Sequence, residues 1–215
     1  MNTKAALGLT AGALAVGLLA GLALGHGSDG SGKIAGPGPT RTVAGVPVGY
    51  AHSEDGAVTA AAAYSGTIGA LALERSEDRT IAISAMSDPA ALGQIRSGLM
   101  PGLETLNKGL STPTTVNAVV RAAPVAYRLV AYNRVNAEVD LWGVGIVGND
   151  DSLPPAATWG ITKVRLRWVD GDWKLAANIE QSPGPTPKSN NAPSAPQSFA
   201  QSIQDFKGFS HAPAH

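Results

Sequence analysis

The chain has 215 residues, with 16 Lys or Arg balanced by 16 Asp or Glu, so its formal net charge is zero with histidine neutral. That balance argues against nucleic acid as a partner, since such binders carry a basic stripe; a hydrophobic fraction of 44% excludes a wholly disordered chain. No cysteine is present, which removes disulfides, thiolate catalysis, thiolate-ligated zinc and lipoprotein acylation together.

Lys4 is followed by an uncharged apolar stretch, Ala5 to Leu24. As a helix, ~20 residues reach ~30 Å, the thickness of a bilayer's hydrocarbon core. Two readings stand. The length favours an uncleaved anchor with a cytoplasmic N-terminus and the domain outside the cell membrane. The abundance of Ala and Gly favours a signal peptide cut after Gly21-Leu22-Ala23 and a secreted product. Gly8 and Gly12, then Gly17, Gly21 and Gly25, recur every fourth residue and mark a candidate helix-pairing face. Residues 1–25 are therefore an anchor or signal segment. Residues 26–43, rich in Gly, Ser and Pro, read as a flexible linker. Residues 44–180 form one extracytoplasmic domain. Residues 181–215 read as a disordered tail; Phe199, Ile203 and Phe206 stand at helical spacing over 198–208, which fits either a frayed end or a short amphipathic helix that docks on a partner.

Within the domain, helices come first. Val46-Pro47-Val48 is extended by its proline. Ser53 or Asp55 caps a helix through the Val58–Ile68 run, with Glu54 and Asp55 complementing its N-terminal dipole. A second, irregular helix is expected from Leu71 to near Ala85. Asp88-Pro89 is a start signal for a third, whose Leu92, Ile95 and Leu99 share a face. Met100-Pro101-Gly102 is expected to interrupt it before Leu103, Leu106 and Leu110.

From Val116 the period changes to two. Val125, Tyr127, Leu129 and Ala131 alternate with Arg128 and Tyr132, as do Val135, Ala137, Val139 and Leu141 with Glu138 and Asp140. Val164, Leu166 and Trp168 alternate with Lys163, Arg165 and Arg167. Gly143 and Gly145 predict a bend or bulge in their strand. Asp170-Gly171 predicts a tight hairpin leading into Trp173 and Leu175. Helices followed by a meander give an α+β fold, with N-terminal helices on a curved antiparallel sheet, preceded by one transmembrane helix.

Chemistry is sparse. His52 is the one histidine inside the domain, and its neighbours Ser53, Glu54 and Asp55 diverge along the chain rather than converging as a triad does. A dyad of His52 with Glu138 or Asp140 is the arrangement an enzyme would need, but strand phase sets those carboxylates opposite the apolar set. No His-x-x-x-His or His-Glu pattern suggests zinc. Asn149-Asp150-Asp151-Ser152 lacks the alternating carboxylates of a calcium loop. The sequence thus indicates no enzyme activity, no cofactor and no metal. Four tryptophans, Trp142, Trp159, Trp168 and Trp173, gather in the strand half with Tyr127. They are candidates for a core, for an apolar ligand pocket between sheet and helices, or, with His52, for an interface. Lys163, Arg165 and Arg167 form a basic stripe, either solvated or a docking face for an acidic partner or anionic lipid headgroups.

Several segments together resemble a group of uncharacterised actinobacterial membrane-anchored proteins. They are Ala44-Gly45-Val46-Pro47-Val48-Gly49-Tyr50-Ala51-His52 with Asp55-Gly56-Ala57 and Ala60–Tyr64; Ala123-Pro124-Val125-Ala126-Tyr127-Arg128 leading to Ala137–Gly145; Ala157-Thr158-Trp159; and Arg167–Leu175. The resemblance implies an external cone-shaped domain of the nuclear transport factor 2-like or cystatin-like type. It also implies a layout similar to the bitopic scaffold subunit of type IV secretion and conjugation systems. The expected function is then a non-enzymatic structural component of a transfer apparatus. Its expected partners are the membrane, further copies of itself and other subunits of that apparatus. The alternative is a secreted or anchored module that holds a small ligand in an apolar pocket.

Overall fold

The computed structural model describes residues 36–111, 118–149, 153 and 156–187. The apolar N-terminal stretch with Gly8, Gly12, Gly17, Gly21 and Gly25, and the tail helix expected over 198–208, lie outside the described residues. In chain order the elements are β1 (Arg41–Val43), β2 (Val46–Val48), α1 (Glu54–Ala70), a 3₁₀ turn (Leu71–Leu73), α2 (Ser76–Met86), α3 (Leu92–Leu110), β3 (Ala118–Tyr132), β4 (Asn136–Asn149), β5 (Ala156–Val169), β6 (Asp172–Leu175) and β7 (Glu180–Pro183). The architecture is α+β: three helices on a curved antiparallel sheet.

β1 and β2 form a separate two-stranded hairpin. Its loop residues Ala44 and Gly45 have φ of 50° and 77°; two left-handed residues match the twist of a hairpin. Arg41–Val43 therefore belongs to the folded domain, not to the flexible linker expected to reach residue 43.

Ser53 caps α1 as expected, its Oγ accepting from the Gly56 backbone N–H at 3.1 Å. A Cβ at Gly56 would lie 1.9 Å from the Ala51 carbonyl oxygen, so only glycine fits this helix start. α1 buries Ala57, Ala60, Ala61 and Tyr64. With the 3₁₀ turn it is the one helix among the described residues long and apolar enough to cross a membrane by length and composition.

Three helical expectations need correction. The Leu71–Ala85 helix is split: the 3₁₀ turn ends α1, and α2 starts afresh at Ser76. Buried Arg79 braces the break by donating to the carbonyls of Leu71 (2.9 Å) and Ala72 (3.2 Å), which also accept from the Glu74 N–H and from Asn107 Nδ2. Asp88 does not cap α3, which starts at Leu92. Asp88 instead closes a turn, its Oδ1 accepting from the Ala90 N–H and its carbonyl from the Ala91 N–H, both at 2.9 Å. Pro101, expected to interrupt α3, lies inside it. The lost hydrogen bond is outweighed by burial on both sides of it, at Ile95 and at Leu103 and Leu110.

The large sheet runs β3-β4-β5-β6, all antiparallel, and β7 joins the same edge of β5 beyond β6. β7 begins at the expected domain end, so Gln181, Ser182 and Pro183, expected in the tail, are sheet residues. β3 departs from simple alternation. Register shifts between Pro124 and Ala126, and between Leu129 and Ala131, leave Val125 and Val130 as extra residues. Both are exposed. Val125, expected on the buried face, is thus a bulge residue. Gly143 sits opposite the first bulge, and a Cβ there would come 2.5 Å from the Ala123 carbonyl oxygen. The glycine admits the bulge of its neighbour rather than bulging itself.

The helix-facing side of the sheet carries Val139, Leu141, Val164, Leu166 and Leu175, all buried. Tyr64, Ile83, Met86, Ile95 and Leu110 pack on them from the helices. The other side is not covered by the described helices.

Candidate functional site

Three groups of side chains hold the residues that the sequence singles out. The first lies where β6, the start of α1 and the β1–β2 hairpin meet. Trp173 is fully buried. Its Nε1 donates to the Ala51 carbonyl at 3.0 Å, and its own carbonyl accepts from the Tyr64 hydroxyl at 2.8 Å. His52 stacks on Trp168 with ring centroids 3.9 Å apart and planes 7° from parallel. Its Nε2–H donates to the Arg134 carbonyl, because a carbonyl can only accept. His52 therefore ties the start of α1 to the β3–β4 turn.

The dyad of His52 with Glu138 or Asp140 is not formed. His52 stacks on the helix-facing side of β5, whereas Glu138 and Asp140 pair across the other side with Arg165 and Lys163. Among the described residues no group of three or more His, Asp and Glu is placed to hold a metal.

Asp172, directly after the Asp170-Gly171 turn and not among the residues the sequence singles out, is buried. Its Oδ1 accepts the Tyr50 backbone N–H at 2.9 Å, and its Oδ2 lies 2.9 Å from Lys174 Nζ. That second approach is a Coulomb contact rather than an aligned hydrogen bond. Lys174 in turn donates to the Ala85 carbonyl at 2.7 Å. The signal was available: Asp172 and Lys174 are two apart in a strand and so share a face. Burial first, and the Asp172 carboxylate second, push the hydroxyls of Tyr50 and Tyr64 far above the usual phenol range. Both stay neutral. The cluster is a structural joint.

The second group is on the side of the sheet away from the helices. Trp142 and Trp159, expected in the core or in a pocket beneath the helices, face that side, with ring centroids 4.9 Å apart. Trp142 Nε1 donates to the Pro185 carbonyl at 3.0 Å. The register places Ala126, Trp142 and Ile161 in one cross-strand row, Ala123, Val144 and Trp159 in the next, and Arg121, Ile146 and Ala157 in a third. Tyr127, opposite Leu141, lies on the helix-facing side and is half-buried against the core. The five aromatics are therefore divided between two faces of one sheet.

The third group is the expected basic stripe, and it is neutralised. Lys163 and Arg165 both reach Glu138 at 3.0 Å, Arg165 also reaches Glu180 at 2.6 Å, Arg167 reaches Asp88 at 2.9 Å, and Arg128 reaches Asp140 at 2.7 Å. The Lys163 hydrogen bond, assisted by Arg165 and opposed by burial, holds the Glu138 carboxyl below the usual glutamate range. Asn149, at the head of the candidate oxygen loop, accepts the Leu153 N–H at 2.7 Å and donates to the Leu110 carbonyl at 3.1 Å. It thereby caps α3; Asp150 to Ser152 lie outside the described residues.

Two open depressions mark the surface. One, of about 430 Å³, lies between the β1–β2 loop, α1 and α2, and is lined by Ala44, Gly45, Thr67, Leu71, Asp78 and Ile81 among others. The other, of about 330 Å³, is at the β3–β4 turn and includes Asn133, Asn136, Glu138 and Arg165. Neither is lined by Tyr127, Trp142 or Trp159. Val43, Leu73 and Ile81, beside the first, are large apolar residues left exposed.

No curated protein and no solved structure matches the chain. A family model does match, over residues 33–197, a span that takes in every strand and helix described above and most of the sequence. The chain belongs to that family, described as a domain of unknown function (DUF8175).

Proposed function

We propose that this chain is a non-enzymatic, membrane-anchored structural component of a conjugation or type IV secretion-like transfer apparatus. The N-terminal apolar segment is its single span, and the domain is a cone of the nuclear transport factor 2-like or cystatin-like type placed outside. It acts by self-association and by docking on other subunits of the apparatus.

The observation that carries this reading is the exposed apolar patch around the larger depression. Ile81, 48% exposed, lines this hollow with Ala44, Gly45 and Leu71 and with the carboxylates of Glu74 and Asp78, and Val43 and Leu73, 43% and 37% exposed, are next in sequence to its lining residues. Apolar clusters of this kind mark contact surfaces. The patch includes β1, the first strand after the N-terminal segment. Supporting it, the space between helices and sheet is filled by Trp173, Tyr64, Met86 and Ile83, which directs recognition to the outside.

The test is size and location of the full chain. C-terminally tagged protein is expected in the membrane fraction with Lys4 and Ala5 intact, and as an oligomer in mild detergent by light scattering. Ile81→Asp is expected to stay in the membrane and fall to a monomer. A wild-type monomer, or a product in the medium beginning near Leu24, overturns the reading and favours the secreted ligand-binding alternative.

A further inference from the structure

The β3–β4 turn carries the most exposed large apolar side chain among the described residues, Val135, at 53%. Alternation along the sequence expected it in a strand; it stands instead in the connection between Tyr132 and Asn136, beside exposed Arg134. The tip is held firmly. Asn133 Oδ1 accepts the backbone N–H groups of Val135 and Asn136, each at 2.8 Å, and the Asn133 N–H donates to the Asn136 carbonyl at 2.8 Å. The Trp168 N–H donates to the Val135 carbonyl at 2.8 Å, and His52 Nε2–H donates to that of Arg134. The backbone of the tip is thus tied down while its two side chains stay idle. Arg134 makes no ion pair among the described residues.

The hollow between the β1–β2 loop, α1 and α2 has the opposite character. Ala44, Leu71 and Ile81 give it apolar walls, and Glu74 and Asp78 give it carboxylates. Asp78 is paired with Arg75, but exposed Glu74 makes no ion pair among the described residues. A Cβ on Gly45 would meet nothing within 4 Å, so the loop leaves the mouth open. We propose that this hollow receives Arg134 and Val135 of a second copy, with Val135 against Ile81 and Leu71 and the Arg134 guanidinium against Glu74. The inference rests on the self-association assigned to the hollow above and names its other half. The two surfaces match in both respects: apolar meets apolar, and an idle cation meets an idle carboxylate. They do not meet within one chain. His52 fixes the tip at the start of α1, whereas Thr67 and Leu71 line the hollow at its end. The 17 residues of α1 lie between, a length of ~25 Å. Because tip and hollow are different surfaces, the contact is head to tail. Each added copy presents a fresh hollow, so assembly runs to a ring or a filament and does not stop at a dimer.

The absence of cysteine makes the test direct. Full chains with Val135→Cys and full chains with Ile81→Cys, in mild detergent, are treated with a short bis-maleimide separately and mixed, then resolved on a denaturing gel. The expected product is a linked pair in the mixture, with neither chain linking to itself. A chain carrying both cysteines is expected to give a ladder of multimers. Arg134→Glu and Glu74→Arg should each weaken linking at least about tenfold at limiting concentration, through like charges brought face to face. Both reversals in one chain should restore it, and Glu104→Arg on exposed α3 should change nothing. Linking by the Ile81→Cys chain alone, or an oligomer that dissociates with Ile81→Asp but ignores Arg134→Glu, overturns this contact and leaves self-association through the hollow standing. A monomer that forms no link overturns both. Recovery of the chain from the medium overturns the membrane-anchored reading alone: a linked pair in the mixture still upholds the contact, and its absence overturns it.

Discussion

Tyr50 and Tyr64 stand edge to face, with centroids 5.8 Å apart, and both are buried, yet their hydroxyls have different circumstances. The Tyr64 hydroxyl donates to the Trp173 carbonyl, while the Tyr50 hydroxyl has no hydrogen-bond partner among the described residues. An intramolecular hydrogen bond is worth ~1 kcal/mol net, and a buried polar group left unmatched costs a comparable amount or more. Tyr64→Phe is therefore expected to lower unfolding free energy by about 1 kcal/mol, and Tyr50→Phe to leave it unchanged or raise it. Urea unfolding of the two variants checks the difference in sign. Both hydroxyls have their pKa raised by folding, so the stability they contribute is complete below the unfolded tyrosine value, ~10, and is lost as pH rises beyond it. The double phenylalanine variant should lose less stability above that pH than the wild type. Asp172 sits in the same joint. Asp172→Ala leaves Lys174, 14% exposed at its side chain, without its counter-charge, and is expected to cost about 3–5 kcal/mol, as breaking a buried pair does.

At the level of elements, β3 is the segment where sequence reading and structure part. Alternation from Val125 through Ala131 looked regular, because a bulge adds one residue and shifts the phase without altering composition. Two bulges in one strand restore the phase by its end, so Tyr132 again faces the core opposite Ala137. Nothing local to Val125 announces this. The clue lies in the partner strand, where Gly143 gives up its side chain to the advancing backbone of Ala123. By contrast β5, the β5–β6 hairpin and the Ser53 cap were legible, because turn chemistry and capping act within a few residues. The fate of Trp142 and Trp159 was not, since which face a strand residue takes depends on register with neighbours. Val125→Thr is thus expected to change stability by no more than about 0.5 kcal/mol, as exposed substitutions do. Gly143→Ala, whose Cβ meets backbone rather than a movable side chain, should destabilise by about 1–3 kcal/mol. Thermal unfolding of the two variants separates a bulge at Val125 from a core position there, for which threonine would cost as much as the glycine replacement.

At the scale of the whole described domain, the charges of the large sheet are met by local pairing. Glu138 joins β4 to Lys163 and Arg165 of β5, Arg165 continues to Glu180 of β7, Arg128 of β3 meets Asp140 of β4, and Arg167 meets Asp88 between α2 and α3. Each partly exposed pair is worth ~0–1 kcal/mol, but together they connect the edges of the sheet to the helical layer. Their pH response follows from Glu138. Its carboxyl is held below the usual glutamate range, first by the Lys163 hydrogen bond and then by Arg165. A depressed folded pKa contributes stability that is present above the unfolded value, ~4.3, and is lost as pH falls through the lower folded value. Unfolding midpoints in urea should therefore drop between neutral pH and about pH 3. Glu138→Gln is expected to start about 1 kcal/mol lower at neutral pH and to lose less on acidification, so the two curves converge. Salt should narrow their separation at neutral pH, because side chains of Lys163 and Arg165 are 34% and 38% exposed and their fields are screened. Parallel curves at every pH and salt concentration would mean that Glu138 matters for its shape and hydrogen bonds, and that the charge on this face does nothing for folding.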